Sequence, residues 1–365
     1  MDLYSNASEG WYRHAQSNSE SDGCPGLRTE PVAVSITCIL YNSVLSPCHS
    51  ALKRIEMTDE LWTIRNFQPN DFEKYFRLHL ESEKHDQSGR RVSKSLLAEA
   101  LGHPQYHPEK DLFLAQRNEN MIGYISVFLE PGIGRALVNG LVHPLHRRKG
   151  VATALFGHAV RHAQAAGSRR MQICIAENNL AAAQLLARLG LEFIRHFFGY
   201  RLDLTAVQLP EIMADSNIFR SLRPGEEDKL TAIQNRAFAG TWGFNPNSRD
   251  EISYRIHSNS CAPEDVIMVY REGIPIAYCW TRIFHDGREV GAVSTGEIHM
   301  LGVDPDFRKQ SIGKNALMAG LAHLKHKGVE LVELMADSEM PAALALYESA
   351  GFEKYMRTEW YEKKL

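Results

Sequence analysis

The chain has 365 residues with a formal net charge of −3 at neutral pH, and 44 % of its residues are hydrophobic. This length is typical of two domains, each with a core of its own. The near balance of charge excludes a large basic surface for nucleic acid or an anionic membrane, and no apolar run approaches the roughly 20 residues of a membrane span. The six cysteines lack C-x-x-C spacing, which disfavours a metal site and favours a reducing compartment. We therefore expect a cytoplasmic protein of two domains with no metal and no nucleic-acid or membrane partner.

Residues 1–56 differ in composition from the rest of the chain. The stretch from Asn6 to Gly26 is polar and rich in Ser, Asn and Gly, so it buries too little apolar surface to fold alone. We expect a disordered or loosely docked extension, with Met57 as a candidate translation start. A functional N-terminal arm is the alternative.

A regular series of elements begins at Ile64. A strand, a turn at Pro69 and a helix come first, and alternating apolar residues then predict a β-hairpin followed by two strands and two helices. The predicted elements are a hairpin at 112–116 and 121–128, a strand ending at Val142, a helix with Leu155, Ala159 and His162 on one face, a strand at 171–175 and a helix capped by Gly190.

The same elements recur in the same order after a polar join at 203–217. The second series has a strand at Phe219, a hairpin at 266–270 and 276–280, a strand ending at Val303, a helix with Ala316, Gly320 and Leu324 on one face, a strand at 331–335 and a helix capped by Gly351. The spacing from Arg147 to Arg308 equals the spacing from Gly190 to Gly351. We conclude that the chain contains two copies of one domain.

Each copy carries a basic loop between its fourth strand and the next helix. The loops run over 142–152 and 303–313, and in each an arginine precedes two small residues at the start of the helix. Free amide groups and the helix dipole favour an anion there, and small side chains let the backbone approach it. The pattern predicts phosphate binding. The alternative interpretation of such a loop is an ordinary helix N-terminus that binds no ligand. The occurrence of the same loop twice in the same context argues against that alternative.

Two sets of residues carry a resemblance to a known family. Arg147-x-x-Gly150-x-Ala152 with Gly190-Leu191, and Arg308-x-x-Ser311-x-Gly313 with Tyr347 and Gly351-Phe352, resemble the GNAT acyltransferase superfamily. Two copies in one chain resemble the tandem GNAT proteins of the mycothiol synthase type. The resemblance implies an α/β (α+β) fold with two GNAT domains, at 57–204 and 217–365. Each would be a mixed, mostly antiparallel sheet flanked by helices and splayed at the acyl-CoA site.

The resemblance also implies acetyl-CoA as co-substrate and assigns its binding residues. Strand residues would pair with the pantetheine arm, and loop amides would cradle the pyrophosphate. In the second copy these are Leu301, Gly302 and Val303, then Arg308, Lys309, Gln310, Ser311, Ile312, Gly313 and Lys314. In the first copy they are Leu141, Val142 and His143, then Arg147, Arg148, Lys149, Gly150, Val151, Ala152 and Thr153, with Asn179 on the pantetheine arm.

The catalytic residues implied by the resemblance lie in the second copy. Glu297, six residues before Val303, matches the base of GNAT histone acetyltransferases, and Tyr347 matches the tyrosine whose hydroxyl reaches the coenzyme A sulfur. A phenol suits a thiolate leaving group. The first copy has Ala136 and Leu186 at the corresponding positions, so we expect it to bind without catalysing. For Glu297 a solvated residue on an exposed face is the alternative, and for Tyr347 a core tyrosine.

The expected function is an acetyl-CoA-dependent N-acetyltransferase that acts by direct attack of a primary amine in a ternary complex. The alternative is a non-catalytic acyl-CoA sensor. Trp242 and Phe244 are candidate walls of the acceptor pocket, and Glu297 or Asp337 a candidate partner of a cationic amine; a core position is the alternative for Trp242. The sequence leaves open an antibiotic, a polyamine, a peptide N-terminus or a cysteinyl-glycoside as acceptor, and a monomer or a homodimer as the assembly.

Overall fold

The computed structural model describes residues 62–88, 91–209, 218–284 and 294–365. The expected extension at residues 1–56 lies outside these ranges, as does most of the expected join at 203–217. Within the described residues, no helix combines the length and apolarity that crossing a membrane requires.

The first copy follows the predicted order of elements. Its strands and helices are β1 (Thr63–Asn66), α1 (Phe72–Asp86), α2 (Lys94–Leu101), α3 (Pro108–Asp111), β2 (Leu112–Arg117), β3 (Asn120–Glu130), β4 (Arg135–Val142), α4 (Val151–Ala165), β5 (Arg170–Ala176), α5 (Leu180–Arg188) and β6 (Glu192–Asp203). Gly190 has a φ of +78°, the left-handed backbone that ends a helix at glycine, as predicted.

The second copy repeats the first. Its elements are β7 (Phe219–Ser221), α6 (Glu227–Phe238), α7 (Arg249–Ile256), β8 (Val266–Arg271), β9 (Ile274–Phe284), β10 (Thr295–Val303), α8 (Ile312–His326), β11 (Leu331–Asp337), α9 (Pro341–Ser349) and β12 (Glu353–Lys364). The hairpins, the loop-bearing strands and the capped helices all fall where the sequence predicts them.

Each copy builds a mixed, mostly antiparallel sheet that splays at one point. The first four strands pair antiparallel in each copy. The fourth and fifth strands are parallel, and their ladder covers only three residue pairs, from Arg135 to Leu137 in β4 and from Thr295 to Glu297 in β10. Beyond these pairs the two strands run on without pairing to each other, which confirms the splayed fold class.

The chain divides into two compact units whose limits differ from the predicted domains 57–204 and 217–365. Of the described residues, the N-terminal unit contains 62–92, 106–194 and 359–365, and the C-terminal unit contains 93–105 and 195–358. The physical reason is strand pairing. The residues of β6 from Phe197 to Asp203 pair with β11, and Glu362 of β12 accepts a hydrogen bond from Gln172 of β5 at 2.7 Å.

One arginine on the first strand of each copy fastens that strand to the turn that follows it. Arg65 donates two hydrogen bonds to Asp71, at 2.6 and 2.7 Å, and Arg220 donates two to Glu226, at 2.7 and 2.9 Å. The Arg220 guanidinium lowers the pKa of Glu226 to about 2. A carboxyl group whose folded-state pKa is depressed stabilises the fold above its unfolded pKa and loses that contribution as pH falls.

We predict that Glu226→Gln lowers the free energy of unfolding by about 2 kcal/mol at pH 7, because a charge-assisted pair is lost. The difference from the wild type should shrink as pH falls from about 4.5 to about 2, where Glu226 itself becomes protonated. Denaturant unfolding at a series of pH values measures this, with the exposed Glu330→Gln as control. A difference that does not change with pH contradicts the assignment.

Candidate functional site

The two basic loops have the same backbone conformation. Arg147 has φ −69° and ψ 159°, and Arg308 has φ −69° and ψ 162°. Left-handed residues follow at matching places, Arg148 and Gly150 in one loop and Lys309 and Ser311 in the other. Alternating left- and right-handed residues turn successive amide groups toward one side and make an anion-binding concavity. Both loops therefore have a backbone conformation that suits an anion, and phosphate binding stays a prediction.

The first arginine of each loop uses its side chain to hold the loop in place. Nε of Arg147 donates to the carbonyl of Val142 at 3.0 Å, and one of its terminal nitrogens donates to Asp86 at 2.8 Å. Nε of Arg308 donates to the carbonyl of Val303 at 3.2 Å. These guanidinium groups therefore fasten each loop to the end of its strand. Arg148 and Lys149 in the first loop, and Arg308, Lys309 and Lys314 at the second, are exposed cationic residues.

Ser311 occupies a backbone conformation that favours glycine. Its φ is +59°, where the equivalent Gly150 has +81°. A side chain in this region costs about 1 kcal/mol or more, so the second loop keeps its shape at some cost in stability. A Cβ built on Gly150 meets no atom within 4 Å. The space at this position is therefore open in the first loop, and only the conformation restricts which residue fits.

A cavity opens beside the loop of the N-terminal unit. Its volume is about 290 Å³, and its lining comes from the loop, the first turn of α4 and the end of α5. A smaller, apolar pocket shares Val142, Ala152, Leu185 and Leu189 with it and reaches inward between β4 and β5. The predicted ligand residue Asn179 lies at the start of α5, where its side chain accepts a hydrogen bond from the amide of Ala182 at 3.0 Å.

Glu297 lies inside the C-terminal unit. It is only 4 % exposed, which excludes the alternative of a solvated residue. Its neighbours across the sheet are Arg282 in β9 and Glu333 in β11. One carboxylate oxygen lies 3.9 Å from Nδ1 of His299. The carboxylate thus lies among charged and polar groups in a site that excludes most solvent.

A β-bulge at His299 corrects the sequence comparison of the two copies. The pairing of β10 with β9 shifts between Ile298 and Met300, whereas β4 pairs with β3 without interruption. When the extra residue at His299 is taken into account, Glu297 in β10 is equivalent to Leu137 in β4. The sequence comparison predicted Ala136 as the equivalent, and that match is wrong. Leu137 is buried and has no acidic group. Bulges are common beside active sites because they redirect side chains, and this one occurs in the copy that carries the carboxylate.

Two residues that the sequence did not single out lie beside Glu297, namely His299 and Arg282. His299 packs edge-on against Trp280, with ring centroids 5.0 Å apart, and burial lowers its pKa, so the ring is neutral at pH 7. Arg282 donates to Ser260 at 2.9 Å and to Glu99 at 2.6 Å. Glu99 belongs to α2, far away in sequence, so no local pattern identifies it.

Tyr347 lies on α9 and is also buried, on the side of the sheet that packs against α8. Its ring is 6.0 Å from those of Tyr200 and Phe352, and burial raises the pKa of its phenol. It is therefore protonated at neutral pH and able to donate a proton. The matching residue of the first copy is the buried Leu186.

Comparison with known proteins agrees with this geometry. The model of the acetyltransferase (GNAT) family matches residues 69–191 and 228–352. The mycothiol acetyltransferase of Sanguibacter keddieii is 32 % identical over 227 residues, which cover 60 % of this chain and 71 % of the relative. That of Stackebrandtia nassauensis is 29 % identical over 272 residues, covering 72 % and 86 %.

Solved structures share the fold at low identity. A tandem GNAT protein from the clavulanic acid biosynthesis pathway superimposes with a TM-score of 0.62 at 18 % identity, covering 83 % of this chain and 98 % of that one. A GCN5-related N-acetyltransferase from Sphaerobacter thermophilus gives 0.64 at 20 % identity, covering 83 % and 95 %. These likenesses establish the tandem fold.

The phosphate assignment can be tested with matched Asp and Asn substitutions at Gly150 and Ser311. Asp and Asn both tolerate left-handed backbone, but only Asp places a negative charge beside the phosphates. At a distance of about 6 Å and an effective dielectric constant of about 20, this repulsion is about 3 kcal/mol. Gly150→Asp should weaken acetyl-CoA binding to the first loop at least tenfold, and Ser311→Asp should do the same at the second, as measured by calorimetry.

The Asn variants at the same two positions are the controls and should bind within about threefold of the wild type. Equal binding by the Asp and Asn variants at both positions would contradict the phosphate assignment.

Proposed function

The chain belongs to the acetyltransferase (GNAT) family and is an N-acetyltransferase, and we propose that its C-terminal unit transfers the acetyl group of acetyl-CoA to a primary amine. The observation that carries this proposal is the bulged strand β10 with its buried carboxylate, Glu297. The unit that contains it also contains Tyr347. The first copy has Leu137 and Leu186 at the equivalent positions, which cannot exchange protons.

The reaction needs a proton acceptor and a proton donor. The carboxylate of Glu297 takes a proton from the acceptor's ammonium group, and the free amine then attacks the thioester carbonyl carbon. The tetrahedral intermediate collapses, the carbon–sulfur bond breaks, and the phenol of Tyr347 donates its proton to the leaving thiolate. The former amine nitrogen loses its second proton, which restores the phenol of Tyr347, and Glu297 releases the first proton to solvent. Backbone amides hold the pyrophosphate throughout, which positions the thioester.

Direct transfer is favoured over an acetylated cysteine. Burial raises the pKa of Cys261 and of Cys279 to about 12. Both thiols are therefore protonated at neutral pH, whereas a nucleophilic cysteine must be a thiolate. Burial outweighs the nearby cation Arg282 at Cys261 and acts alone at Cys279.

The acceptor is proposed to be a small-molecule primary amine. The relatives are named mycothiol acetyltransferases, so the amine that such an enzyme acetylates is the first candidate to test. Asp337 is a poor partner for the ammonium group because Arg195 already donates to it at 2.7 Å. Arg195 also lies 4.9 Å from the ring centre of Trp242. We therefore assign the ammonium to Glu297 and a contact with the rest of the acceptor to Trp242.

We predict that Glu297→Gln lowers kcat by about 10²–10⁴-fold with a screened amine acceptor, because Gln keeps the shape but accepts no proton. The loss should be largest at pH values where the amine is protonated. Thiol release measures the rate. Glu333→Gln, which changes the neighbouring carboxylate paired with Arg201, is the matched control and should stay within about threefold.

Tyr347→Phe should lower kcat with little change in acetyl-CoA affinity, because the hydroxyl acts as thiolate charge develops. Rate measurements and calorimetry on the same preparation separate the two effects. A chain that binds acetyl-CoA and releases no thiol with any amine in the screen would instead be a sensor, and this proposal would fail.

A further inference from the structure

The N-terminal unit has a pocket whose position corresponds to the acyl end of a bound coenzyme. The apolar pocket adjoins the loop-lined cavity, with which it shares Val142 and Ala152. Leu186 lies on its wall, at the position where the other copy has Tyr347. The proposed function places the hydroxyl of Tyr347 next to the thioester sulfur in the C-terminal unit. Because Leu186 is the equivalent residue, the sulfur and the acyl group of a coenzyme bound to this unit would lie next to Leu186.

The lining of this pocket determines which acyl groups it accepts. All its side chains are hydrocarbon except that of Tyr124, and they include Ile173, Leu185 and Leu186. None of the lining residues carries a cation that could pair with a carboxylate. Moving an unpaired carboxylate into such surroundings is strongly unfavourable, so a dicarboxylic acyl group is excluded.

The size of the pocket limits the length of the chain. Its volume is about 40 Å³, and a single water-sized group needs about 10–15 Å³ on this measure. There is therefore room for about three such groups, more than the one methyl group of an acetyl. Each further methylene that becomes buried there should tighten binding about fourfold.

We propose that the N-terminal unit binds acyl-CoA with a short, uncharged acyl chain of three or four carbons and holds it without transferring it. The proposal rests on the assignment of the loops to coenzyme A. Retention follows from Leu137 and Leu186, because neither side chain can take the ammonium proton or protonate the leaving thiolate. The two units thus differ in ligand as well as in chemistry.

The experiment is calorimetry on the full chain carrying Ser311→Asp, which blocks the second loop. The probes are free coenzyme A, acetyl-CoA, butyryl-CoA and succinyl-CoA. Because butyryl has two more methylenes than acetyl, we expect butyryl-CoA to bind about sixteen times more tightly than acetyl-CoA. Succinyl-CoA should bind no more tightly than free coenzyme A. Equal affinity for all four probes, or succinyl-CoA binding as tightly as butyryl-CoA, would overturn the proposal.

A second variant tests the pocket itself. Ile173→Ala enlarges it and should shift the preference toward hexanoyl-CoA, whereas Leu334→Ala, the matching change in the second copy, should leave it unchanged. An unshifted preference in Ile173→Ala would also overturn the proposal.

Loss of all binding on adding Gly150→Asp confirms that the first loop holds the probe. Unchanged binding in that double variant would instead contradict the loop assignment on which the proposed function rests.

Discussion

The short parallel ladder between the fourth and fifth strands is the constraint on which both sites depend. Three residue pairs join β4 to β5, and three join β10 to β11. Where the ladder stops, the ends of the strands separate, and each fourth strand leads into a loop whose amides face one side. Arg147 and Arg308 fix the loops by bonding the last strand carbonyls. The separation of the strands and the position of the loop together define a place for an extended, phosphorylated ligand.

One inserted residue in the fourth strand separates the second copy from the first. The bulge at His299 lengthens β10 relative to β4 and sets Glu297 opposite Arg282. The first copy keeps an uninterrupted ladder with hydrocarbon side chains at that level. Under the proposed function, this local change in one strand and two side-chain differences divide binding from chemistry between the copies.

Much of the fold followed from the sequence because local patterns determine it. Alternation predicted the hairpins, and glycine at 190 and 351 predicted the helix ends. The pairing of β6 with β11 could not be predicted, because it joins residues that are distant in the chain. The contact of Glu99 with Arg282 spans 183 residues. The bulge was missed because an extra residue changes register without changing composition, and this is why Ala136 was matched to Glu297.

The sequence pointed to the main parts of the candidate site but not to the contacts that its side chains make. The loops and both proposed catalytic residues stood out because their spacing resembles a family. The roles of Arg147 and Arg308 in fixing the loops did not, because a basic residue in a phosphate loop gives the same sequence pattern whether it faces the ligand or the protein.

Both loops are proposed to bind coenzyme A, and only the second to support turnover. Steady-state thiol release at saturating amine tests this in Gly150→Asp and in Ser311→Asp, each against its Asn counterpart. We expect kcat/KM for acetyl-CoA to fall at least tenfold in Ser311→Asp and to stay within about threefold in Gly150→Asp. A large fall in Gly150→Asp with none in Ser311→Asp would place the chemistry in the first copy and contradict this assignment.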